Sequence, residues 1–175
     1  MIEVRAATTD DVPAIAAFLL DYMREVFGPD AVWAGSADGL TRDGFGRRFE
    51  MMVAARDGVP VGFMGWQPDY DLHHCHSGGE VLDLYVRPDV RGLGVALRLV
   101  AAVAAAVRAR GGVYVRGLTT GDPETRALYD RVAVAFDGAN CILGGAAFRV
   151  VADLAGKPAR VIIRGLPAKQ TNFDP

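Results

Sequence analysis

The stretch that decides the architecture is Val81-Leu82-Asp83-Leu84-Tyr85-Val86-Arg87-Pro88-Asp89-Val90-Arg91-Gly92-Leu93-Gly94-Val95-Ala96. Its first six residues alternate as a strand does, with Leu82, Leu84 and Val86 on one side and Val81, Asp83 and Tyr85 on the other. Arg87-Pro88-Asp89 breaks the strand, because proline fixes φ and has no N–H to give a ladder. Gly92 and Gly94 have no Cβ, so the backbone can turn tightly and approach a ligand closely. From Val95 an Ala-rich run at helical spacing continues to about Arg110, where Gly111-Gly112 ends it. A strand, a glycine turn and a helix in this order aim the N–H groups of Gly92, Leu93, Gly94, Val95 and Ala96 at one point, and the helix dipole adds about half a positive charge there. Such a place receives an anion and suits a pyrophosphate cradle.

Reading outward, Ile2–Ala6 is a strand. Thr8 or Thr9 with Asp10 and Asp11 starts a helix carrying Val12, Ile15, Ala16, Leu19, Tyr22 and Val26, which Gly28-Pro29 ends. Residues 28–39 read as irregular, and a short helix follows around Leu40–Arg48. Met51–Arg56, Asp57-Gly58 and Val59–Trp66 make a hairpin, since Asp-Gly between apolar runs is a strong turn signal. The polar residues 67–79 read as a loop. After the Ala-rich helix come a strand at Val113–Leu118, a helix from Asp122-Pro123 carrying Leu128 and Tyr129, and short strands near 141–143, 148–152 and 161–163. Strands and helices in this order describe an α/β layer protein with a mixed sheet.

Composition bounds the function. A chain of 175 residues suits one domain with a single core. A net charge of −2 and a pI of about 5.9 give no basic footprint for nucleic acid and mildly favour a cationic substrate. Cys75 and Cys141 form no CxxC pair and no disulfide framework, which fits a reduced, cytoplasmic setting. The N-terminus does not read as a signal peptide. The most apolar run, Leu99–Val107, is far short of the roughly 18 residues a membrane span needs, so no membrane partner is expected. His73-His74-Cys75-His76 places four ligand types in a row, but consecutive residues cannot all meet one tetrahedral ion, and no metal is expected there.

The anion is narrowed by what is missing. No G-x-x-x-x-G-K-[ST] string occurs, and the third position of a dinucleotide fingerprint falls on Leu97 rather than glycine. What fits is R-x-x-G-x-A, realised by Arg91, Gly94 and Ala96. This resembles the pantetheine-pyrophosphate motif Q/R-x-x-G-x-G/A of the GNAT acetyltransferases. The resemblance implies a single-domain α/β GNAT-like fold, with a mixed, largely antiparallel central sheet flanked by helices, over residues 1–155. Residues 156–175 would then be a C-terminal strand or tail on the same domain or on a dimer partner, and a homodimer is admitted. It further implies acetyl-CoA as acetyl donor, held by Leu84, Tyr85, Val86, Arg91, Gly92, Leu93, Gly94, Val95 and Ala96. GNAT members often carry an Asn followed seven residues on by the Tyr of a Leu-Tyr pair. Here Asp122 stands at that Asn and Leu128-Tyr129 follow, so the resemblance implies a donor contact for Asp122 and protonation of the CoA thiolate by Tyr129. A phenol with an ordinary pKa of about 10 can do this. The Gly-Phe usual after that helix is replaced by Ala133-Val134.

Leu40-Thr41-Arg42-Asp43-Gly44-Phe45-Gly46 resembles the L-x-R-D-G-F-G segment of the diamine (spermidine/spermine) acetyltransferases and their thialysine-acetylating relatives. Val61-Gly62-Phe63, Tyr70-Asp71 and Leu82-Asp83-Leu84-Tyr85-Val86 keep the same order, and the likeness runs through residues 2–135. Those relatives use a Glu-Asp pair on the central strand to hold or deprotonate the amine. This chain has Leu82-Asp83, so Asp83 alone matches, with Glu80 close by. The expectation is a small-molecule primary amine, polyamine or lysine-like, held by Glu80, Asp83 and Asp71 and deprotonated by Asp83. An ordinary Asp pKa of about 4 is low for that task without desolvation or a water chain. The alternatives are a non-catalytic acyl-CoA-binding module and an acetyltransferase acting on protein N-termini or lysines.

Overall fold

The computed structural model describes residues 1–118. Five strands, β1 (Ile2–Ala6), β2 (Glu50–Arg56), β3 (Val59–Asp71), β4 (His76–Val86) and β5 (Tyr114–Arg116), form one sheet in the order of the chain. The first three pairings are antiparallel and the last, β4 with β5, is parallel. Three helices accompany them: α1 (Val12–Phe27), α2 (Ala37–Asp43) and α3 (Val95–Ala109). The expected mixed, largely antiparallel sheet flanked by helices is therefore present. The predicted helix carrying Tyr129, the strands after it and the 156–175 tail lie outside the described residues.

Alternation along the strands divides the core between two faces. Met64, Trp66 and Val86 turn to α3, which answers with Val95, Leu99, Val103 and Val107, one every four residues and each no more than 3% exposed. Phe63 and Tyr85 turn to α1, where the Phe18 ring stacks at 5.5 Å from Tyr85 and 6.4 Å from Phe63. Fully burying side chains of this size stabilises by about 1.5–3 kcal/mol each. The start of α1 is tied to β1: the buried Asp11 carboxylate accepts from Arg5 Nη1 and Nη2 at 2.7 and 2.8 Å and from the Thr8 N–H at 2.8 Å.

Four sequence expectations are corrected. Residues 67–79 are not a loop. β3 runs on to Asp71 and β4 begins at His76, so the two strands form one long hairpin with its tip at 72–75. β2 ends its pairing at Glu50 opposite Trp66, so β3 is an edge from there on, where a residue such as Pro68 is tolerated. The short helix begins at Ala37 and ends at Asp43 rather than running from Leu40 to Arg48, because the Ser36 hydroxyl caps it by accepting from the Gly39 N–H at 3.0 Å. Val26, which shares the helical spacing of Val12, Ile15 and Leu19, is 43% exposed, and Phe18 fills the core instead. Finally, Gly65 pairs with Asp83 but Trp66 pairs with Val81, which leaves Leu82 without a partner. This bulge resets the alternation: Val81 packs with Leu84 and Val86 on the α3 side, and Leu82 is 43% exposed.

Candidate active site

The glycine turn is built as the sequence requires. Gly92 and Gly94 have φ of +75° and +74°, and Gly94 caps α3 in the left-handed region. Among the described residues, a Cβ at either position would meet nothing within 4 Å. The glycines are thus needed for backbone conformation, and no described residue fills the space above them. The Arg91 N–H is used, donating to the Pro88 carbonyl at 3.2 Å. Among the described residues, the N–H groups of Gly92, Leu93, Gly94, Val95 and Ala96 have no acceptor. Val90 and Val95 are buried on either side of the turn, at 0% and 2% exposure, and residues 91–94 between them form an exposed crown. Five free donors at the start of a helix, with its dipole behind them, fit an anion such as a pyrophosphate.

The Arg91 side chain folds back. Its Nε donates to the Val86 carbonyl at 2.9 Å, and its Nη2 donates to Glu25 Oε1 and Oε2 at 3.0 and 2.7 Å. The Tyr85 hydroxyl donates to the same Glu25 Oε1 at 3.1 Å, and the guanidinium lies 5.6 Å above the Tyr85 ring. Burial, assisted by the Glu25 carboxylate, pushes the Tyr85 phenol up to about 12, so it remains a donor at any working pH. Glu25 was not legible as a site residue, since nothing in the spacing of α1 distinguishes it from other exposed carboxylates.

β4 carries the remaining candidates. Its pairing with β5 spans only Gly78, Gly79 and Glu80. Beyond that point, through Leu84, Tyr85 and Val86, no described strand adjoins its β5 side. Asp83 lies on the α1 face opposite Gly65. Burial pushes its carboxyl above the ordinary value of 3.8. The Asp83 charge in turn helps hold the Tyr22 phenol above its ordinary value, after burial.

Glu80 shares the Asp83 face, two ladder positions away. Its carboxylate accepts from Gln67 Nε2 at 2.9 Å and lies 4.0 Å from Arg116 Nε. Arg116 also donates to Asp69 at 2.7 Å, and the Tyr114 hydroxyl donates to Asp69 at 2.6 Å. Asp71 is not brought to Asp83. It sits six residues beyond Gly65 on β3, about 20 Å along the strand, and caps the hairpin tip: it accepts from the His73 N–H at 2.8 Å and meets His74 Nδ1 at 2.7 Å. A cleft of about 170 Å³ lined by Trp66, Val107 and Arg110 lies at the other end of α3 from the glycine turn. Tyr129 and Asp122 lie outside the described residues.

The acetyltransferase (GNAT) family profile matches residues 12–133. The aminoalkylphosphonate N-acetyltransferase of Salmonella typhimurium strain LT2 is 29% identical over 99 residues, which cover 57% of this chain and 62% of that protein. The chain thus spans less than two thirds of that relative. The crystal structure of the ribosomal-protein-alanine N-acetyltransferase from Brucella melitensis biovar Abortus 2308 matches with a TM-score of 0.66 at 25% identity, over 82% of this chain and 99% of that one. The aminoglycoside acetyltransferase HMB0005 from an uncultured soil metagenomic sample matches with a TM-score of 0.64 at 18% identity, over 83% and 99% of the two chains, a likeness of fold. With well over half of its residues inside the matched span and with the strand, glycine turn and helix in place, this chain belongs to the acetyltransferase (GNAT) family.

Proposed function

We propose that the protein is an acetyl-CoA-dependent N-acetyltransferase that moves the acetyl group to the primary amine of a small molecule. The observation that carries this reading is the set of five N–H groups at 92–96 that have no partner among the described residues, joined by one strand to the desolvated carboxyl of Asp83. Acetyl-CoA, when bound, supplies the acetyl group as an activated thioester. In this reading the 91–96 turn takes the pyrophosphate, and the edge of β4 at Leu84, Tyr85 and Val86 takes the pantetheine amides. Asp83 attracts the ammonium form of the acceptor and removes its proton, directly or through a water. Its raised pKa brings it closer to a working base than an ordinary Asp. Glu80 contributes negative potential on the same face. Tyr129 is assigned protonation of the CoA thiolate and Asp122 a donor contact.

The acceptor class follows from the local charge. Asp69, Glu80 and Asp83 against Arg116 leave this face net negative, which favours a cationic amine. Polyamines and lysine-like compounds meet that condition, and the names of the relatives add aminoalkylphosphonates and aminoglycosides. A second reading, a protein N-terminus as acceptor, is favoured by the likeness to the ribosomal-protein-alanine N-acetyltransferase. The test is thiol release from acetyl-CoA with spermidine, putrescine, lysine, thialysine, an aminoalkylphosphonate, an aminoglycoside and a peptide N-terminus. Turnover with a small amine, lost in Asp83→Asn and Tyr129→Phe, supports the proposal. Turnover with the peptide alone supports the second reading. Tight acetyl-CoA binding without turnover on any acceptor leaves a binding module.

A further inference from the structure

We propose that Glu25 is a positioning residue for the acetyl donor: by holding the Arg91 side chain against the end of β4, it fixes the turn whose N–H groups receive the pyrophosphate. This rests on the reading of the 91–96 turn as the donor site.

The argument begins with how little holds the crown of that turn. Val90 and Val95 anchor its ends in the core, but residues 91–94 are exposed, and two of them are glycines whose Cβ positions face open space. Among the described residues, the side chain that ties this crown to the rest of the fold is Arg91. Its three bonds run to Val86 and to both oxygens of Glu25. Glu25 is in turn oriented by the hydroxyl of Tyr85, a residue only 5% exposed and stacked on Phe18. The bond to Tyr85 matters because it fixes one carboxylate oxygen to the core. An exposed ion pair alone contributes little, whereas a pair with one member locked in place loses less freedom on forming.

The same geometry assigns the guanidinium a place. It is occupied below the turn, with its charge offset by Glu25, so the anion site consists of backbone N–H groups and the helix dipole. Removing the Glu25 charge frees both the guanidinium and the crown. A free crown must be ordered again when the pyrophosphate binds, and ordering costs affinity. The opposite expectation also follows from simple electrostatics: a released Arg91 could reach the phosphates and tighten binding. The two differ in sign, which makes the proposal decidable.

The experiment is a calorimetric titration of acetyl-CoA into wild type, Glu25→Gln and Tyr85→Phe, with kcat and both KM values measured alongside on the amine the wild type uses. Glu25→Gln should weaken acetyl-CoA binding about fivefold, the upper end of what a partly exposed ion pair contributes, with kcat at saturation and the amine KM unchanged. Glu25→Asp should recover part of the loss. Tyr85→Phe, which keeps the Glu25–Arg91 bridge, should weaken binding about twofold. Unchanged or tighter binding in Glu25→Gln overturns the proposal. So does a fall in kcat and thermal stability that accompanies the weaker binding, because that marks a general structural role. Failure of the wild type to bind acetyl-CoA sinks the reading of the turn instead, and is seen before any variant is compared.

Discussion

Asp83 stands opposite Gly65 in the β3–β4 ladder, and among the described residues the only neighbour within 4 Å of a Cβ built on Gly65 is the Leu82 Cβ, at 3.9 Å. The carboxyl thus lies beside a bare stretch of backbone, at the residue next to the bulge. Gly65 has no left-handed φ, so a side chain there meets no backbone strain. Valine at this position suits a strand. Gly65→Val should leave thermal stability unchanged or slightly raised and leave acetyl-CoA affinity intact. It should raise the KM of the amine by about tenfold, since a methyl or two in the wrong place costs on the order of 1–3 kcal/mol. Steady-state kinetics beside a melting curve check this, and an unchanged amine KM would remove the acceptor from the Asp83 face.

Asp83 itself separates activity from stability. Its carboxyl is raised above 3.8 by burial, so its ionised form is a burden on the folded state. The sign follows from linkage: the folded protein holds that proton more tightly than the unfolded chain, and stability is lost as pH rises from the unfolded value through the raised folded one. Above that window the penalty is constant. Asp83→Asn should therefore match or exceed the wild-type melting temperature at neutral pH, and the difference should vanish below the unfolded pKa. Activity should move the other way, with kcat/KM falling about a hundredfold or more, the scale of a lost general base. The wild-type acid limb of kcat/KM should sit above an ordinary Asp. A variant both inactive and markedly unstable at neutral pH would contradict the desolvated base.

Much of this was legible because it depends on short-range rules. Pro88 had to end a strand, Gly92 and Gly94 had to supply conformations other residues resist, and the four-residue spacing of Val95, Leu99, Val103 and Val107 had to bury one helix face. What escaped depends on partners distant in the chain. Residues 67–71 look like a loop because their polarity hides an alternation that becomes visible only once 76–80 lie beside them. The bulge at Leu82 cannot be seen without the β3 register, so Val81 was assigned to the wrong face. Glu25 and Arg91 are joined across 66 residues, and neither sequence context announces the pair. Asp71 looked like a substrate carboxylate because its spacing matched a resemblance, whereas the long hairpin carries it to the tip.

Asp11 links stability to pH. It is 3% accessible, and bonds from Arg5 and Thr8, with Arg5 first, hold its carboxyl below the ordinary 3.8. A lowered folded pKa contributes stability that is fully present above the unfolded value and lost as pH falls through the folded one. Arg5 is partly exposed and Thr8 is exposed, so the ion pair is screened, and the larger loss comes from removing at once the several bonds that one buried carboxylate accepts. Asp11→Ala should cost about 2 kcal/mol, or roughly 4–8 °C in melting temperature at neutral pH. The gap to wild type should shrink below the unfolded pKa. A gap independent of pH would assign the loss to packing rather than to the carboxylate.

Gly94 isolates the backbone requirement of the donor turn. Its φ of +74° is strained for any residue with a Cβ, yet a Cβ there would touch nothing among the described residues. Gly94→Ala therefore changes conformational energy by about 1–2 kcal/mol without a clash. That energy is released if the turn moves to negative φ, a shift that would scatter the N–H groups of 92–96. Asparagine enters the left-handed region more readily than alanine. Acetyl-CoA affinity should fall in the order wild type, Gly94→Asn, Gly94→Ala, with the last weaker by about tenfold, and the amine KM should not move. The same ranking should appear in thermal stability with acetyl-CoA present and be smaller without it. Equal affinity in Gly94→Asn and Gly94→Ala would mean that close approach of the ligand, rather than the left-handed turn, is what glycine provides at this position.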